Sequence, residues 1–380
     1  MTTFLLLDDA LRSPEVRHEV GEPVMDPVGF IEHEGKRIVV GGVLERALFE
    51  AREDVVDEFW DVASFGRGDL VKDPTFPEAN ILPELVARAL EKLGVSEAVV
   101  PASFHLLAGD YLRARGLRLV VDAEGWAHRR RVKTPAELEG TERAQRAAEL
   151  AMLTAARMLR DAEPSGLGEL RFEGELLTAE WIREAMVGEL TTQGADCEQI
   201  LVHSGDACLR GHDPGTGPIL ADRSCIIDCF PRDRRSGAHS DMTRTFVPGT
   251  PSDELVRLHA RCREALSIAF DALRPGRSDA FGEVARFFAS HGYPTQITHE
   301  DDGPLQEGFL HSLGHGVGLE VHEKPWMGRR SDELVAGDVV AVEPGLYFAG
   351  VGGVRLEDTV VVTEDGVEHF TDPYPYDLQP

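Results

Sequence analysis

The stretch IDCFPRDRRSGAHSDMTRTF, residues 227–246, places two acidic side chains at the ends of one polar loop. Apolar runs typical of strands flank the loop, so we expect Asp228 and Asp241 at strand ends that face a common site. Two buried carboxylates repel each other, and such a pair is costly unless something neutralises it. The stretch therefore predicts a bound metal ion.

Three downstream segments offer further ligands. His315 lies in HSLGHGVGLEVHE, Glu343 in VVAVEPGLY and Glu357 in GGVRLEDTVVV. Together with the two aspartates they form an oxygen-rich set that suits Mn²⁺, Co²⁺ or Zn²⁺ rather than a thiolate zinc site. Because four carboxylates carry four negative charges, two divalent cations balance them where one would not. We therefore expect a dinuclear centre, with Mn²⁺ first and Co²⁺ or Zn²⁺ as alternatives.

Composition excludes several classes of partner. The 380 residues include 42% hydrophobic side chains and carry a formal net charge of −28. This charge repels phosphate backbones and anionic lipids, so we expect neither nucleic acid nor a membrane as a partner. The start of the chain, MTTFLLLDD, predicts a strand rather than a signal peptide, because the apolar run is short and no basic region precedes it. Five dispersed cysteines do not form a disulfide framework, which favours a reducing cytoplasm.

The chain divides into two predicted domains. Residues 1–132 alternate strands such as FLLL at residues 4–7 with helices such as LPELVARALEKL at residues 82–93, which indicates an α/β domain. A capping box at Thr134 and Glu137, with proline at the first helical position, opens a long helix. Residues 133–380 then combine helix pairs with strands, so the predicted fold class of the chain is α+β. We expect the basic run at residues 128–131 to be a solvated linker face.

Strand alternation orients several candidate side chains. Residues 354–362 alternate as one strand, which places Arg355 and Glu357 on the same face and towards one cavity. Glu343 ends a strand at the turn Pro344-Gly345. His311 and His315 have the spacing of a helical zinc pair, but the glycines around them argue against a helix.

These motifs resemble the pita-bread metallopeptidases, in particular their Xaa-Pro aminopeptidase and prolidase branch. The resemblance covers roughly residues 130–370 and rests on the segments around Asp228, Asp241, His315, Glu343 and Glu357. The N-terminal half is similar, by length and pattern, to the creatinase-like domain of this branch. The resemblance therefore implies a C-terminal pita-bread catalytic domain behind a creatinase-like α/β domain.

The resemblance also implies roles for the ligands. Asp228 would hold one metal, His315 and Glu343 the other, and Asp241 and Glu357 would bridge the two. It further implies a substrate-side group of residues that surrounds the metals. These are His212 at the end of SGDACLRGH, His322 near the scissile carbonyl with His311 beside it, and Arg355 before the last glutamate.

The sequence departs from the family pattern in the pocket walls. Phe230 stands where the family usually has glycine, and thirteen positions rather than eleven separate Asp228 from Asp241. Ala238 replaces a tyrosine, and Gly211 replaces a proline. None of these changes touches a ligand, so they bear on substrate preference more than on activity.

The resemblance predicts hydrolysis of the Xaa-Pro bond at the N-terminus of small proline-containing peptides. Glu343 would move a proton from the attacking water to the leaving nitrogen, and His322 would donate to the developing oxyanion. Three alternatives stay open: an Xaa-Pro dipeptidase (prolidase), a creatinase-type C–N hydrolase and a binding module without catalysis. A homodimer is expected from the resemblance alone.

Overall fold

Two units of the chain, Met1–Arg130 and Arg131–Pro380, each have hydrophobic cores of their own. The computed structural model describes residues 2–21, 23–51, 55–300, 303–372 and 374–380. The division between the units falls two residues before the predicted domain boundary.

The first unit is a mixed sheet with helices packed against it. Its strands are β1 (Phe4–Asp8), β2 (Val28–His33), β3 (Lys36–Gly41), β4 (Glu58–Asp61), β5 (Glu97–Val100) and β6 (Arg118–Val121), in the order β4-β3-β2-β1-β5-β6. Its helices are α1 (Pro14–Val20), α2 (Arg46–Glu50), α3 (Arg67–Lys72), α4 (Ile81–Leu93), α5 (Leu106–Ala114) and α6 (Ala123–Arg131). The strand at residues 4–7 and the helix at residues 82–93 are thereby confirmed.

Two pairs of helices belong to the second unit. They are α7 (Pro135–Asp161), α8 (Ala179–Thr192), α9 (Asp253–Ala272) and α10 (Ala280–Ser290). Helix α7 begins at the predicted capping box, in which Thr134 Oγ1 accepts from the backbone N–H of Glu137 and the Glu137 carboxylate accepts from that of Thr134. Among the helices in the described part of the chain, none has the length and apolarity needed to cross a membrane.

The strands of the second unit pair antiparallel in several small sheets. They are β7 (Glu163–Pro164), β8 (Leu170–Phe172), β9 (Glu175–Leu176), β10 (Ala195–Asp196), β11 (Ile200–Ser204), β12 (Cys225–Cys229), β13 (Arg232–Asp233), β14 (Met242–Phe246), β15 (Gly314–Gly316), β16 (Glu323–Met327), β17 (Val339–Val342), β18 (Gly345–Phe348), β19 (Gly352–Arg355), β20 (Asp358–Val362) and β21 (Val367–His369). The sheets that position the site are β11-β12-β14 and β16-β15-β17-β20-β21.

Each of these two sheets buries one face under a helix pair. Ile227 and Cys229 of β12 pack into a core built from α7 and α8, while Val340 and Val342 of β17 pack into one built from α9 and α10. Burial of each such aliphatic side chain contributes about 1.5–3 kcal/mol, which fixes which face of the strand is turned inward. Because side chains alternate along a strand, Asp228 is turned to the opposite face from its two neighbours.

The predicted continuous strand at residues 354–362 is wrong. The chain forms β19 and then β20, and Leu356 and Glu357 lie between them. The break occurs where the chain leaves its pairing with β18 and joins β17. At this point the backbone N–H of Glu357 donates to the carbonyl of Thr243 at 3.1 Å, which ties the segment to β14.

The interpretation of residues 128–131 as a solvated linker face is also wrong. These residues end helix α6, and the three arginines among them form ion pairs. Arg129 pairs with Glu19 and Glu32, and Arg131 Nη2 lies 2.5 Å from Asp338 Oδ2 with both side chains almost fully buried. The charges are therefore compensated within the protein rather than hydrated.

Candidate active site

One cavity of about 540 Å³ in the second unit collects every residue that the sequence singled out. These residues come from β12, from the position before β14, from the segments around β15, β17 and β19, and from the loop after Gly205–Leu209. They are His212, Asp228, Asp241, His311, His315, His322, Glu343, Arg355 and Glu357. Since the nine lie up to 145 positions apart in the chain, the fold brings them together.

The two aspartates are set by the β12–β14 pair. Asp228 is opposite Thr243 in the strand register, and Asp241 directly precedes β14. The hydroxyl of Thr359 accepts a hydrogen bond from the Asp241 N–H and donates one to the Asp241 carbonyl, both at 2.8 Å. These two hydrogen bonds to its backbone hold Asp241 against β20. The predicted placement of the acids at strand ends facing one site agrees with this geometry.

Two glycines let the strand that carries His315 lie close to its neighbours. A Cβ at Gly314 would lie 2.0 Å from the carbonyl oxygen of Ala341, and one at Gly316 would lie 2.1 Å from that of Lys324. Any larger residue would push β15 away from β16 or β17. The glycines that argued against a helix are therefore the residues that allow this strand.

The hydrogen bonds of His315 define its tautomer. Its Nδ1–H donates to the carbonyl of Gly316 at 3.1 Å, which leaves the Nε2 lone pair facing the carboxylates. Nε2 lies 3.7 Å from Asp241 Oδ2 and 3.9 Å from Glu343 Oε1. Burial, and then the neighbouring His322, lower the pKa of His315 to about 4. The neutral imidazole is the form that ligates a metal.

Asp241, His315 and Glu357 form a compact group that could hold a metal ion. Each offers a ligand atom, and these atoms all lie within 4.8 Å of one another. Glu357 Oε2 also accepts a hydrogen bond of 2.6 Å from the hydroxyl of Thr243, which orients the carboxylate. Glu343 follows β17 at the rim, less buried than the other three carboxylates.

The raised pKa values of the buried carboxylates show that their negative charges are not compensated within the protein, which favours bound cations. Burial and the nearby acids raise the pKa of Asp241 and of Glu357 well above the ordinary range, and burial raises the pKa of Glu343 to about 7. Among the described residues, Asp228 Oδ1 and Asp241 Oδ1 are buried oxygens without a hydrogen-bond donor. Such orphaned acceptors are costly unless a cation meets them. The donor set therefore fits hard divalent ions.

Arg355 begins a directed chain of hydrogen bonds along the cavity wall. Its Nη1 donates to the hydroxyl of Tyr347 at 3.1 Å, and that hydroxyl lies 3.0 Å from His311 Nε2. Because His311 Nδ1 donates to the carbonyl of Ser312 at 2.8 Å, Nε2 accepts and Tyr347 donates. Burial, and then Arg355, lower the pKa of His311 to about 4, which agrees with a neutral ring.

Tyr347 and Thr243 are the functional residues that sequence reasoning missed. Tyr347 is four residues after Glu343, and Thr243 is two residues after Asp241. Thr243 therefore has the even spacing that places side chains on one face of an extended segment, and this alternation would have identified it. Tyr347 lies in β18, beyond the break that follows β17, so alternation from Glu343 does not extend to it.

The remaining histidines lie at the open side of the cavity. The ring of His322 is 4.4 Å from that of His315, in an edge-to-face arrangement, and the residue is exposed. His212 is also exposed, in the loop after the short 3₁₀ turn Gly205–Leu209, and its carbonyl accepts from Gln199 Nε2 at 3.5 Å. The walls between these histidines are apolar and include Leu201, Phe230, Leu310, Val321 and Trp326.

The curated relatives that match this chain carry peptidase names. A "Probable dipeptidase PepE" of Mycobacterium tuberculosis is 33% identical over 187 residues, which cover 49% of this chain and 46% of the relative. The "Xaa-Pro dipeptidase" of Pyrococcus furiosus is 37% identical over 136 residues, which cover 35% of this chain and 36% of the relative. The chain thus spans half or less of the length of these relatives.

Solved structures with a similar fold match nearly the whole chain. The X-Pro aminopeptidase of Thermotoga maritima superposes with a TM-score of 0.76 at 21% identity, over 99% of this chain and 97% of that one. The prolidase of Pyrococcus furiosus gives a TM-score of 0.72 at 20% identity, over 98% and 97%. At this identity the likeness concerns the fold. It confirms the predicted fold class, with a pita-bread domain in a two-domain chain.

A family model for metallopeptidases accounts for the part of the chain that carries the cavity. It matches residues 139–364, more than half of the 380, and this range contains all nine of the residues brought together at the site. On this match the protein belongs to metallopeptidase family M24.

Proposed function

We propose that this protein hydrolyses Xaa-Pro bonds at the N-terminus of short peptides with the help of two divalent cations. The observation that carries the proposal is the cavity in which four carboxylates and His315 converge, with two buried aspartate oxygens left without donors. A creatinase-type hydrolase or an inactive binding module has no use for this set. Family membership also favours a peptidase.

Five side chains would hold the cations. Asp228 would bind one, His315 and Glu343 the other, and Asp241 and Glu357 would bridge them. When bound, the cations supply a water of lowered pKa and a Lewis acid for the scissile carbonyl. Mn²⁺ is the expected ion because the set is rich in hard oxygens, and Co²⁺ or Zn²⁺ are alternatives.

The protein's own groups position and move protons. Glu343, at the rim of the cluster, takes the proton of the attacking water and passes it to the leaving nitrogen. His322 lies beside His315 on the open side and donates to the oxygen that becomes negative. Arg355 orients Asp228 through one hydrogen bond and Tyr347 through another. Tyr347 in turn orients His311.

The substrate is a small proline-containing peptide. An Xaa-Pro bond lacks an N–H, so recognition must come from the shape of the ring rather than from that donor. The apolar wall formed by Phe230, Leu310, Val321 and Trp326 offers such a surface, with His212 at its edge. A homodimer in the cytoplasm remains the expectation for the whole protein.

A second candidate function is an Xaa-Pro dipeptidase. It is favoured by the names of the two curated relatives, both of which are called dipeptidases and are 33% and 37% identical to this chain over the matched residues. The two candidates differ in whether the cavity accepts residues after proline. Comparing kcat/KM on an Xaa-Pro dipeptide and an Xaa-Pro-Xaa tripeptide with the same first residue separates them.

The proposed function itself is tested with a matched pair of substrates. We expect the Mn²⁺-loaded protein to cleave an Xaa-Pro dipeptide or tripeptide and to lose this activity with a chelator, then regain it with Mn²⁺. The peptide with alanine in place of proline serves as the control and should be cleaved far more slowly. Equal rates on both peptides would contradict proline selectivity, and activity that persists without metal would contradict the cation centre.

A further inference from the structure

A buried ion pair adjoins His322 in the chain. The ammonium group of Lys133 contacts the carboxylate of Glu323, and the two side chains are only 2% and 6% exposed. Taking both charges out of water is costly, and replacing such a pair with apolar side chains is often neutral or even stabilising. Stability alone is therefore a weak account of this pair.

The segment between β15 and β16 carries His322 at its end. Gly316 of β15 is opposite Glu323 of β16, so residues 317–322 form the connecting segment of this antiparallel pair. His322 is its last residue, directly before β16. The preceding residue of β15 is paired with Trp326, so the register shifts at this point. Irregularities of this kind re-aim side chains next to active sites.

His322 and Glu323 project to opposite sides of the chain, because adjacent side chains alternate in an extended segment. Glu323 is buried, whereas His322 is exposed at the open side of the cavity. A group that fixes Glu323 therefore fixes the backbone from which His322 projects, without itself reaching the substrate.

The Glu323 carboxylate also contacts the connecting segment from the inside. Its Oε2 accepts a hydrogen bond of 3.3 Å from the backbone N–H of Glu320. A Cβ at Gly318 would lie 2.7 Å from Oε1, so the chain passes directly against the carboxylate at this glycine. A displaced Glu323 carboxylate would therefore displace the connecting segment with it.

Lys133 joins this carboxylate to a well-anchored part of the second unit. It directly precedes Thr134, the N-cap residue whose capping box fixes the start of α7. Two positions earlier, Arg131 forms its buried ion pair with Asp338. Because the backbone is held on both sides of Lys133, its ammonium group is a fixed point against which Glu323 is set.

We propose that Lys133 is a positioning residue for His322 and that it acts through Glu323. The inference rests on the proposed function, in which His322 donates to the oxygen that becomes negative. A donor of this kind must be held within about 0.5 Å of its productive position. Since the donor acts on the developing charge, loss of Lys133 should lower kcat more than it alters KM.

A double-mutant cycle on the Mn²⁺-loaded full chain tests the proposal. Lys133→Met should lower kcat on an Xaa-Pro dipeptide about 10- to 100-fold, the cost of a small misplacement, with little change in KM or metal content. Added to His322→Ala, it should lower kcat little further, because the group that Lys133 positions is already absent. Losses that multiply in the double variant, or an unchanged kcat in Lys133→Met, would overturn the proposal.

Hydrogen exchange gives a readout that does not depend on peptide hydrolysis. In Lys133→Met the backbone amides of the connecting segment should exchange faster than in the wild type, whereas those of α9 should not. Should Lys133→Met not fold, Glu323→Gln removes the same ion pair with little change of shape and should give the same result. The control is Lys36→Met, which breaks an exposed ion pair with Glu58 in the first unit and should change neither exchange nor kcat.

The two readouts distinguish the inference from the function on which it rests. A wild-type protein that does not cleave Xaa-Pro peptides would contradict the proposed function, and the exchange comparison would still decide whether Lys133 holds the connecting segment. Unchanged exchange in that segment, with an active wild type, would overturn the positioning role alone.

Discussion

Arg355 Nη2 donates a hydrogen bond of 2.5 Å to Asp228 Oδ2, across 127 positions of the chain. The same guanidinium donates from Nε to the Thr243 hydroxyl at 3.2 Å and from Nη1 to the Tyr347 hydroxyl at 3.1 Å. One planar group therefore orients an acid on β12 from a strand of another sheet. Because Oδ2 is occupied, Oδ1 is the oxygen of Asp228 left for a cation.

Replacing Arg355 with lysine should disable the site. A lysine cannot donate in three directions with the geometry of a guanidinium, so Asp228 loses its orientation. We expect kcat/KM on an Xaa-Pro dipeptide to fall about 10- to 100-fold, the usual range for loss of a group that orients a metal ligand. Arg223→Lys, at an exposed arginine of the same unit, is the control and should retain activity. If Arg355→Lys retained the wild-type kcat/KM, Arg355 would not be needed to orient Asp228.

Tyr347→Phe tests the next link, because it removes only the hydroxyl between Arg355 and His311. Without that donor, the Nε2 lone pair of the half-buried His311 loses its hydrogen bond, at a cost of about 0.5–1.5 kcal/mol. We expect kcat to fall while the protein keeps its fold, as measured by steady-state kinetics and thermal unfolding. Tyr293→Phe, outside the cavity, should leave kcat unchanged. An unaltered kcat in Tyr347→Phe would remove the hydroxyl from the mechanism.

Asp241→Asn should reduce the metal content of the purified protein. In the proposed centre Asp241 would bridge both cations, and an amide cannot supply its charge, so the binding of both ions should weaken together. We expect about two Mn²⁺ per chain in the wild type and well under two in the variant, measured by elemental mass spectrometry after dialysis. The exposed Asp279→Asn is the control. One tightly held ion per chain at full wild-type activity would refute the dinuclear centre.

Local sequence patterns were sufficient to predict which side chains line the cavity. The period of two from Asp241 into β14 places Asp241 and Thr243 on one face, so it would equally have identified Thr243. Tyr347 lies in β18, beyond the break after β17, and the period does not extend to it from Glu343. Glycines at the strand that carries His315 were correctly taken as incompatible with a helix.

Long-range partners could not be inferred in the same way. Arg131 is compensated by Asp338, 207 positions away, and nothing in residues 128–131 shows that such a partner exists. The strand at residues 354–362 was misjudged for a related reason. Its alternation is unbroken in sequence, but the chain changes pairing partner from β18 to β17, and only the assembled sheets reveal this.

The long loop between Asp228 and Asp241 is stabilised by a pH-dependent contact. Arg143 donates to both oxygens of Asp233, at 3.1 and 2.9 Å, and Ser236 donates from its N–H and its hydroxyl. Burial alone would raise the pKa of Asp233, but these donors outweigh it, so the pKa is lowered. A lowered pKa stabilises the folded state above the unfolded pKa of about 4, and the gain is lost as pH falls through the folded pKa.

Asp233→Asn should therefore destabilise the protein at neutral pH and not in acid. We expect the free energy of unfolding to fall by about 1–3 kcal/mol at neutral pH, the range for hydrogen bonds to a charged group, and the difference to shrink below about pH 4. Urea titrations at both pH values measure this. The exposed Asp161→Asn should show no such dependence. If the difference in unfolding free energy between the wild type and Asp233→Asn grew in acid, the pKa of Asp233 would not be lowered in the folded state.

The last prediction separates chemistry from binding at two positions of one cavity. Glu343 follows β17 at the edge of the carboxylate cluster, with Oε1 3.9 Å from His315 Nε2 and Oε2 3.6 Å from His311 Nδ1. A proton carrier must lie beside the reacting atoms, which the proposed mechanism places at this cluster. Glu343→Gln should lower kcat by about 10²-fold or more, the range for a general acid–base group, and should also loosen the metal that it holds.

His212 should behave differently, because it lies in an exposed loop and meets the cavity only at its rim. His212→Ala should act mainly through KM, since a group that contacts substrate equally in the ground and transition states changes binding without changing the chemical step. Both variants are compared with the wild type on the dipeptide and the tripeptide, with metal content measured for each. The matched control is His291→Ala, an exposed histidine at the end of α10 outside the cavity, which should alter neither constant. Abolished kcat with unchanged KM in His212→Ala would place this histidine among the catalytic groups instead.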